Sequence, residues 1–262
     1  MLSVKKRSRF LHRKAQKVYI VLPAFNEELR IGVLLERIDE VMFDDGLEYT
    51  VIVIDDGSTD TTPVIVEKAM KTMPVAFVRH RINRGLGSTI RDGLQKAMGM
   101  ADSHDIIITM DSDDTHTPGL ILRMVHMIRE GYDVVIASRY QHEARIIGVP
   151  LIRQLLSLGA SWIMRILFPI RGVRDYTCGY RAYRADVLQR ARQQFGSRLF
   201  NQDGFQCMVD ILLKLRTMHL IFGEVPFILR YDYKEGGTKM KVWSTVKNTL
   251  FLMIKRRFGH WA

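Results

Sequence analysis

Short runs of branched and aromatic apolar residues recur through the first half of the chain: 18–23 (VYIVLP), 49–55 (YTVIVID), 75–79 (VAFVR), 105–110 (DIIITM) and 133–138 (DVVIAS). They are continuously apolar rather than alternating, which is the pattern of strands buried on both faces. Helical spacing fills the intervals. In 28–42, Leu29, Val33, Leu34, Leu35, Ile38 and Val41 form one side and Glu36, Arg37, Asp39 and Glu40 the other. Residues 61–73, 86–100 and 118–130 read as helices too, the last with Thr117 as N-cap and Pro118 in its first turn. Strand starts lie 26–31 residues apart, the size of a βα unit. The fold class predicted is α/β, a largely parallel twisted sheet flanked by helices. Ligands in such sheets bind beyond the carboxyl ends of the strands.

Polar clusters fall at those ends. Asn26-Glu27 follow the first strand, Asp55-Asp56-Gly57-Ser58-Thr59-Asp60 the second, Asn83-Arg84-Gly85-Leu86-Gly87 the third and Asp111-Ser112-Asp113-Asp114-Thr115-His116 the fourth. Turn chemistry explains some of these residues. It does not explain seven carboxylates on one edge, which repel one another unless cations or donor groups offset them. Asp111 and Asp113, leaving a buried strand as Asp-x-Asp, suit Mg²⁺ or Mn²⁺ shared with substrate phosphates. An EF-hand is excluded because His116 stands where Gly is needed, and a dinucleotide fingerprint because Ile90 does. No Gly-Lys-Ser/Thr of a P-loop occurs. Asp55 and Asp56 are placed to accept hydrogen bonds from a ribose or a base.

Composition changes the picture in two ways. The chain has 262 residues, 47% of them hydrophobic and 26% charged, so it is globular and needs no disulfide framework, which Cys178 and Cys207 could not supply. A reducing compartment follows. The net charge of +11 lies in the tails: residues 1–17 carry seven Lys or Arg, residues 239–262 carry six, and neither carries an acid. Between them 26 basic residues face 28 acidic ones. Such tails suit an anionic membrane surface or nucleic acid, or are solvated arms without a partner; the partner expected is the membrane surface, with no nucleic acid.

The succession Val21-Leu22-Pro23-Ala24-Phe25-Asn26-Glu27, Ile54-Asp55-Asp56-Gly57-Ser58-Thr59-Asp60, Asn83-Arg84-Gly85-Leu86-Gly87, Met110-Asp111-Ser112-Asp113 and Ala137-Ser138-Arg139-Tyr140 resembles glycosyltransferase family 2. Asp175-Tyr176-Thr177-Cys178-Gly179-Tyr180-Arg181 and Gly236-Gly237-Thr238-Lys239 are similar to its dolichyl-phosphate and polyprenyl-phosphate mannosyl- and glucosyltransferase branch. The resemblance covers 18–241. It implies a GT-A (Rossmann-like) fold, a nucleotide-sugar donor (GDP-mannose or UDP-glucose), a polyprenyl or dolichyl phosphate acceptor, and Mg²⁺ or Mn²⁺ on Asp111 and Asp113. It places Pro23, Phe25, Glu27, Ile54, Asp56, Met110, Asp111, Ser112 and Lys234 with donor binding, and Asp113, Arg139 and Lys239 with the reaction. Thr115 stands where the family often has a Gln, and Tyr233 where it tends to have Arg.

The expected enzyme is thus an inverting, metal-dependent hexosyltransferase. Two other readings stand beside it: a family member acting on a soluble or glycan acceptor, and a nucleotide-binding membrane scaffold without turnover. The expected organisation is a basic arm at 1–17, a catalytic domain at 18–240 and an amphipathic membrane-interface helix at 241–262. In that helix Trp243, Val246, Leu250, Met253 and Ile254 share a side. Residues 150–168, with Leu151, Leu155, Leu158, Trp162 and Arg165, form a second candidate, although stripes of this kind also pack on a protein's own core. No stretch reaches the roughly 20 apolar residues of a membrane span, and residues 1–17 lack the apolar core of a signal peptide. The expected location is peripheral, at the cytoplasmic face of the membrane.

Overall fold

The computed structural model describes residues 15–230 and 242–257. The five predicted strands are present as β1 (Val18–Ala24), β2 (Tyr49–Asp55), β3 (Val75–Arg79), β4 (Ile106–Thr109) and β5 (Val134–Ser138). Between them run α1 (Ile31–Asp44), α2 (Thr62–Ala69), α3 (Leu86–Met100) and α4 (Leu120–Arg129). In β1, β2, β4 and β5 nearly every residue is buried, as continuous apolar runs require. The start of α4 differs from expectation. Thr117 and Pro118 accept the Leu120 and Ile121 N–H groups through their carbonyls, and no side chain caps the helix.

The second half adds β6 (Arg145–Ile147), α5 (Leu151–Leu167), β7 (Arg181–Arg184), α6 (Ala185–Phe195), α7 (Cys207–Leu215), β8 (Phe222–Pro226), β9 (Ile228–Arg230) and α8 (Val242–Arg257). Seven strands form one sheet in the order β3-β2-β1-β4-β7-β5-β8, and β6 pairs with β9. Only β7 runs antiparallel to its neighbours in the large sheet. It lies between β4 and β5, so the segment entering it reaches the same edge as the carboxyl ends of those strands. Strand order reverses at β1, between β2 and β4, which is where such sheets open a ligand crevice.

Two glycines mark close approaches at this edge. Gly57 has φ +75°, and a Cβ there would lie 2.7 Å from the Ile82 carbonyl carbon. At Gly87 a Cβ would meet the Gln202 carbonyl oxygen at 2.0 Å, so the loop after the 3₁₀ segment Gly196–Phe200 presses directly on the start of α3.

Helix α8 does not lie apart from the body. Its Leu252 and Met253 belong to the core, and Arg256, 2% exposed, donates through Nε to Asp210 of α7 at 2.7 Å. Lys214 binds the same carboxylate. Met253 and Arg256, expected at a membrane interface, therefore face inward, while Phe251 and Ile254 stay exposed. Side chains of Trp243, Val246 and Leu250 lie outside the described residues, as do 1–14, 231–241 and 258–262. Helix α5 is the reverse case: Leu151, Leu155, Trp162, Ile163 and Ile166 are all exposed. Among the described residues no helix is long and apolar enough to cross a membrane.

Both cysteines are buried and free. Burial pushes each thiol up to about 12, with the Asp175 charge adding to the effect at Cys178. A thiol whose pKa is raised this far stays protonated at pH 8. Iodoacetamide at pH 8 is therefore expected to leave both unmodified in the native protein and to alkylate both in guanidinium, read by intact mass.

Candidate active site

A cavity of about 1050 Å³ opens beyond the carboxyl ends of β1, β2, β4 and β5. The strand-end loops line it with Pro23, Phe25, Glu27, Asp56, Met110, Asp111, Ser112 and Asp113, and Arg139 and Tyr140 line it too. The rest of the lining is largely apolar, including Ile146, Leu155, Leu156, Ile163, Phe205, Met208, Val209 and Met253, with Gln154, Ser157, Thr177 and Thr249 among them.

The strand-end loops are laced together by side chains. Ser112 Oγ donates to the Pro23 carbonyl at 2.6 Å, tying the loop after β4 to the end of β1. The Asn26 N–H donates to Ser58 Oγ at 2.8 Å, and Asn26 Oδ1 accepts from the Thr59 N–H at 2.9 Å. Asn26 sits at φ +52° and Asp114 at φ +57°, a left-handed conformation that Asn and Asp tolerate better than other side-chain residues.

The crowd of carboxylates resolves into separate duties. Asp55 is fully buried, accepts the Ser58 N–H at 3.1 Å and pairs with Arg79 at 3.1 Å, so it builds its own turn rather than facing a ligand. Asp56 lines the cavity and also organises it. Its Oδ1 meets His80 Nδ1 at 2.6 Å and the Arg84 N–H at 2.9 Å, while Oδ2 accepts the Gly85 N–H at 2.8 Å. Asp114, raised by burial against the opposing pull of Arg37, pairs with that arginine at 2.6 Å. Glu27, Asp111 and Asp113 are the other acids facing the cavity.

Ile54, expected beside the nucleotide, has a fully buried side chain and is not among the residues that line the cavity. Strand side chains alternate between faces. Ile54 falls on the face covered by α3, where a Cβ on Gly93 would come within 3.2 Å of it. Lys234 and Lys239 lie outside the described residues.

Arg139 is placed differently from a free phosphate-binding cation. Its Nε and Nη2 donate to the two oxygens of Asp175 at 2.7 and 2.8 Å, and Nη2 also reaches Thr177. Asp175 accepts the backbone N–H groups of Arg139 and Cys178 as well. Burial alone would raise this carboxyl; Arg139 and the converging N–H groups outweigh that and hold it below the usual carboxylate range. The Glu224 carboxylate accepts the Asp175 N–H at 2.6 Å and so fixes the segment from the β8 side.

Residues 19–192 match the sequence profile described as "Glycosyl transferase family 2", two thirds of the chain and every strand-end loop above. The chain belongs to that family. It is a glycosyltransferase, and its fold is the GT-A fold expected from the sequence. A dolichol-phosphate mannosyltransferase of Pyrococcus furiosus is 32% identical over 226 residues, which are 86% of this chain and 59% of that protein. The chain thus spans about three fifths of that relative's length. A polyprenol monophosphomannose synthase of Mycolicibacterium smegmatis is 26% identical over 91% of this chain and 86% of its own. Among solved structures, glucosyl-3-phosphoglycerate synthase from Mycobacterium tuberculosis, in complex with Mn²⁺, UDP and phosphoglyceric acid, superposes with a TM-score of 0.68. It is 19% identical, over 95% of this chain and 85% of that one. That likeness speaks for the fold. A second structure of the same enzyme holds Mg²⁺ and UDP, with a TM-score of 0.67.

Within this glycosyltransferase, several cavity residues carried no signal in the sequence. Phe205, just before α7, and Met208 within it, together with Thr249 of α8, come from two segments far apart in the chain, and only the folded chain brings them to the strand-end loops. Asp175 was inside a recognised motif, yet its pairing with a residue 36 positions earlier left no local trace.

Proposed function

We propose that this glycosyltransferase moves one hexose from a nucleotide sugar, GDP-mannose or UDP-glucose, to a polyprenyl or dolichyl phosphate, with inversion at the anomeric carbon. The observation that carries this reading is the continuity of the cavity: one space joins the carboxylates at the strand ends to an apolar limb bordered by α5, whose outer face exposes further apolar side chains. A lipid phosphate needs both halves, a polar place for the phosphate and an apolar one for its chain. The names of the two curated relatives support the same acceptor class.

Asp111 and Asp113 fit a divalent cation. Both face the cavity, Asp111 with 49% of its side chain exposed, and paired hard oxygens suit Mg²⁺ or Mn²⁺ that completes its shell with water and substrate phosphates. The ion, when bound, offsets the negative charge that develops on the leaving diphosphate. The chain's own residues orient the reactants: Pro23, Phe25, Glu27, Asp56, Met110 and Ser112 flank the donor region, and Arg139 presents Nη1, which makes no hydrogen bond among the described residues. An acceptor phosphate oxygen attacks the anomeric carbon and the nucleoside diphosphate departs with the bonding pair. The acceptor is already anionic, so orientation matters more than a general base.

The exposed apolar face of α5 is read as the membrane contact, with Trp162 at its middle and Arg165 stacked over that ring at 5.6 Å. The basic arm adds attraction to anionic lipid that salt screens. Labelled GDP-mannose and UDP-glucose, each incubated with Mn²⁺ and either polyprenyl phosphate or 3-phosphoglycerate, separate the readings. Label is expected in the organic phase with the lipid acceptor. Label transferred only to phosphoglycerate, or no sedimentation with anionic liposomes at low salt, would overturn the lipid-acceptor reading.

A further inference from the structure

His116 lies five residues beyond Asp111 and touches the same cavity, yet it is only 4% exposed. Its ring stacks on Tyr180 with centroids 5.0 Å apart and planes 13° from parallel, and Phe227 meets it edge-on at 5.2 Å. Tyr180 is buried in turn and donates its hydroxyl proton to the Thr117 carbonyl at 3.2 Å. The imidazole is therefore clamped between two rings that hold its plane.

Its nitrogens face one residue. Nδ1 accepts the backbone N–H of Asp111 at 3.2 Å. A ring nitrogen that accepts carries no proton, so the proton of the neutral ring sits on Nε2. Nε2 lies 3.6 Å from Asp111 Oδ2, beyond hydrogen-bond length. A small rotation of the half-exposed carboxylate closes that gap. The next acid is held independently, because Asp113 Oδ1 accepts from the Thr115 N–H at 3.2 Å and from Thr115 Oγ1 at 2.7 Å. Each of the two candidate ligands thus has its own internal brace, Thr115 for Asp113 and His116 for Asp111.

We propose that His116 is the positioning residue of the cation site: it fixes the Asp111 peptide through Nδ1, steers the Asp111 carboxylate through Nε2–H, and does not itself touch the ion. The inference rests on the reading of Asp111 and Asp113 as cation ligands. Holding a ligand in its binding orientation beforehand removes part of the ordering cost of binding. Outer partners of this kind typically change metal affinity by about 10–100-fold when removed. A role limited to packing makes the opposite statement, since any flat ring would then serve.

His116→Phe keeps the ring between Tyr180 and Phe227 and removes both nitrogens, whereas His116→Asn restores an acceptor near Nδ1. Mn²⁺ titrated into full-length protein with UDP or GDP, read by the electron paramagnetic resonance signal of free ion, is expected to bind about 10–100-fold more weakly to the Phe variant. The Asn variant should recover part of the loss, and nucleotide binding in EDTA should be equal in all three. Wild-type affinity in the Phe variant overturns the positioning role while leaving the cation reading intact; no Mn²⁺ binding by the wild type overturns both. A measurement on the wild type covers the case in which a variant does not fold. Nitrogen-15 spectra of the His116 ring with Mg²⁺ and UDP or GDP should keep a protonated Nε2, and loss of that proton on adding Mg²⁺ would make His116 a ligand instead.

Discussion

Asp113→Ala is expected to lower sugar transfer by about 10²–10³-fold at saturating donor, the range seen when one fixed electrostatic contact to a developing charge is removed. The fold should survive. The side chain is partly exposed on a loop, and its described structural work is the pair of hydrogen bonds from Thr115. Losing them costs about 1–2 kcal/mol, a Tm drop of a few degrees in a chain of this size. Asp113→Asn separates the two roles, because its amide oxygen still accepts from Thr115 while the negative charge is gone. The Asn variant should therefore melt close to the wild type and still transfer poorly. Asp111→Ala should follow with a somewhat smaller loss. Wild-type turnover that persists undiminished in excess EDTA would sink the cation role for both carboxylates.

Legibility in the sequence tracked the kind of physics each part uses. The first five strands are apolar on both faces, so local composition announces them, and the loops at their ends carry their chemistry within six residues or fewer. β7 was invisible for the opposite reason. Its sequence Arg181-Ala182-Tyr183-Arg184 looks like a charged loop, but Arg181 is fully buried and satisfied by the carbonyls of Tyr176, Cys178 and Met208. A cation that folds inward onto backbone acceptors cannot be told from a solvated one by residue type. The same confusion affected Arg256, which reads as a membrane-facing cation and is in fact held by Asp210 in the interior. In the site, the Asp-x-Asp and the cavity-lining residues of the first loops were readable because they are consecutive. The apolar limb was not, since its walls come from α5, α7, α8 and the segments beside them.

Removing the Asp175 carboxylate should have the largest effect on the fold. Asp175 is fully buried, Arg139 keeps 19% of its side chain exposed, and the pair is bidentate. Deleting one partner of such a pair leaves the other charge uncompensated, at a cost of about 3–5 kcal/mol. Asp175→Ala also strips the acceptor from the Arg139 and Cys178 N–H groups, so the upper part of that range is expected in urea unfolding. The dependence on pH has a definite sign. The Asp175 carboxyl is held below its unfolded value, so its contribution is fully present above about pH 4 and is lost as pH falls toward the lower folded value. The stability gap between wild type and Asp175→Asn should then be constant from pH 7 to pH 5 and narrow below pH 4. An Asp175→Ala/Arg139→Met double variant should recover part of the loss, because it removes the stranded charge as well. Arg139→Lys distinguishes the functional half of the pairing. A lysine retains the charge opposite Asp175 but cannot hold the planar fork that leaves Nη1 directed elsewhere, so kcat/KM should fall further than stability does. Unfolding midpoints for Asp175→Ala that match the wild type would mean the pair is not the anchor of this segment, and Arg139 would then be free to serve as a simple surface cation.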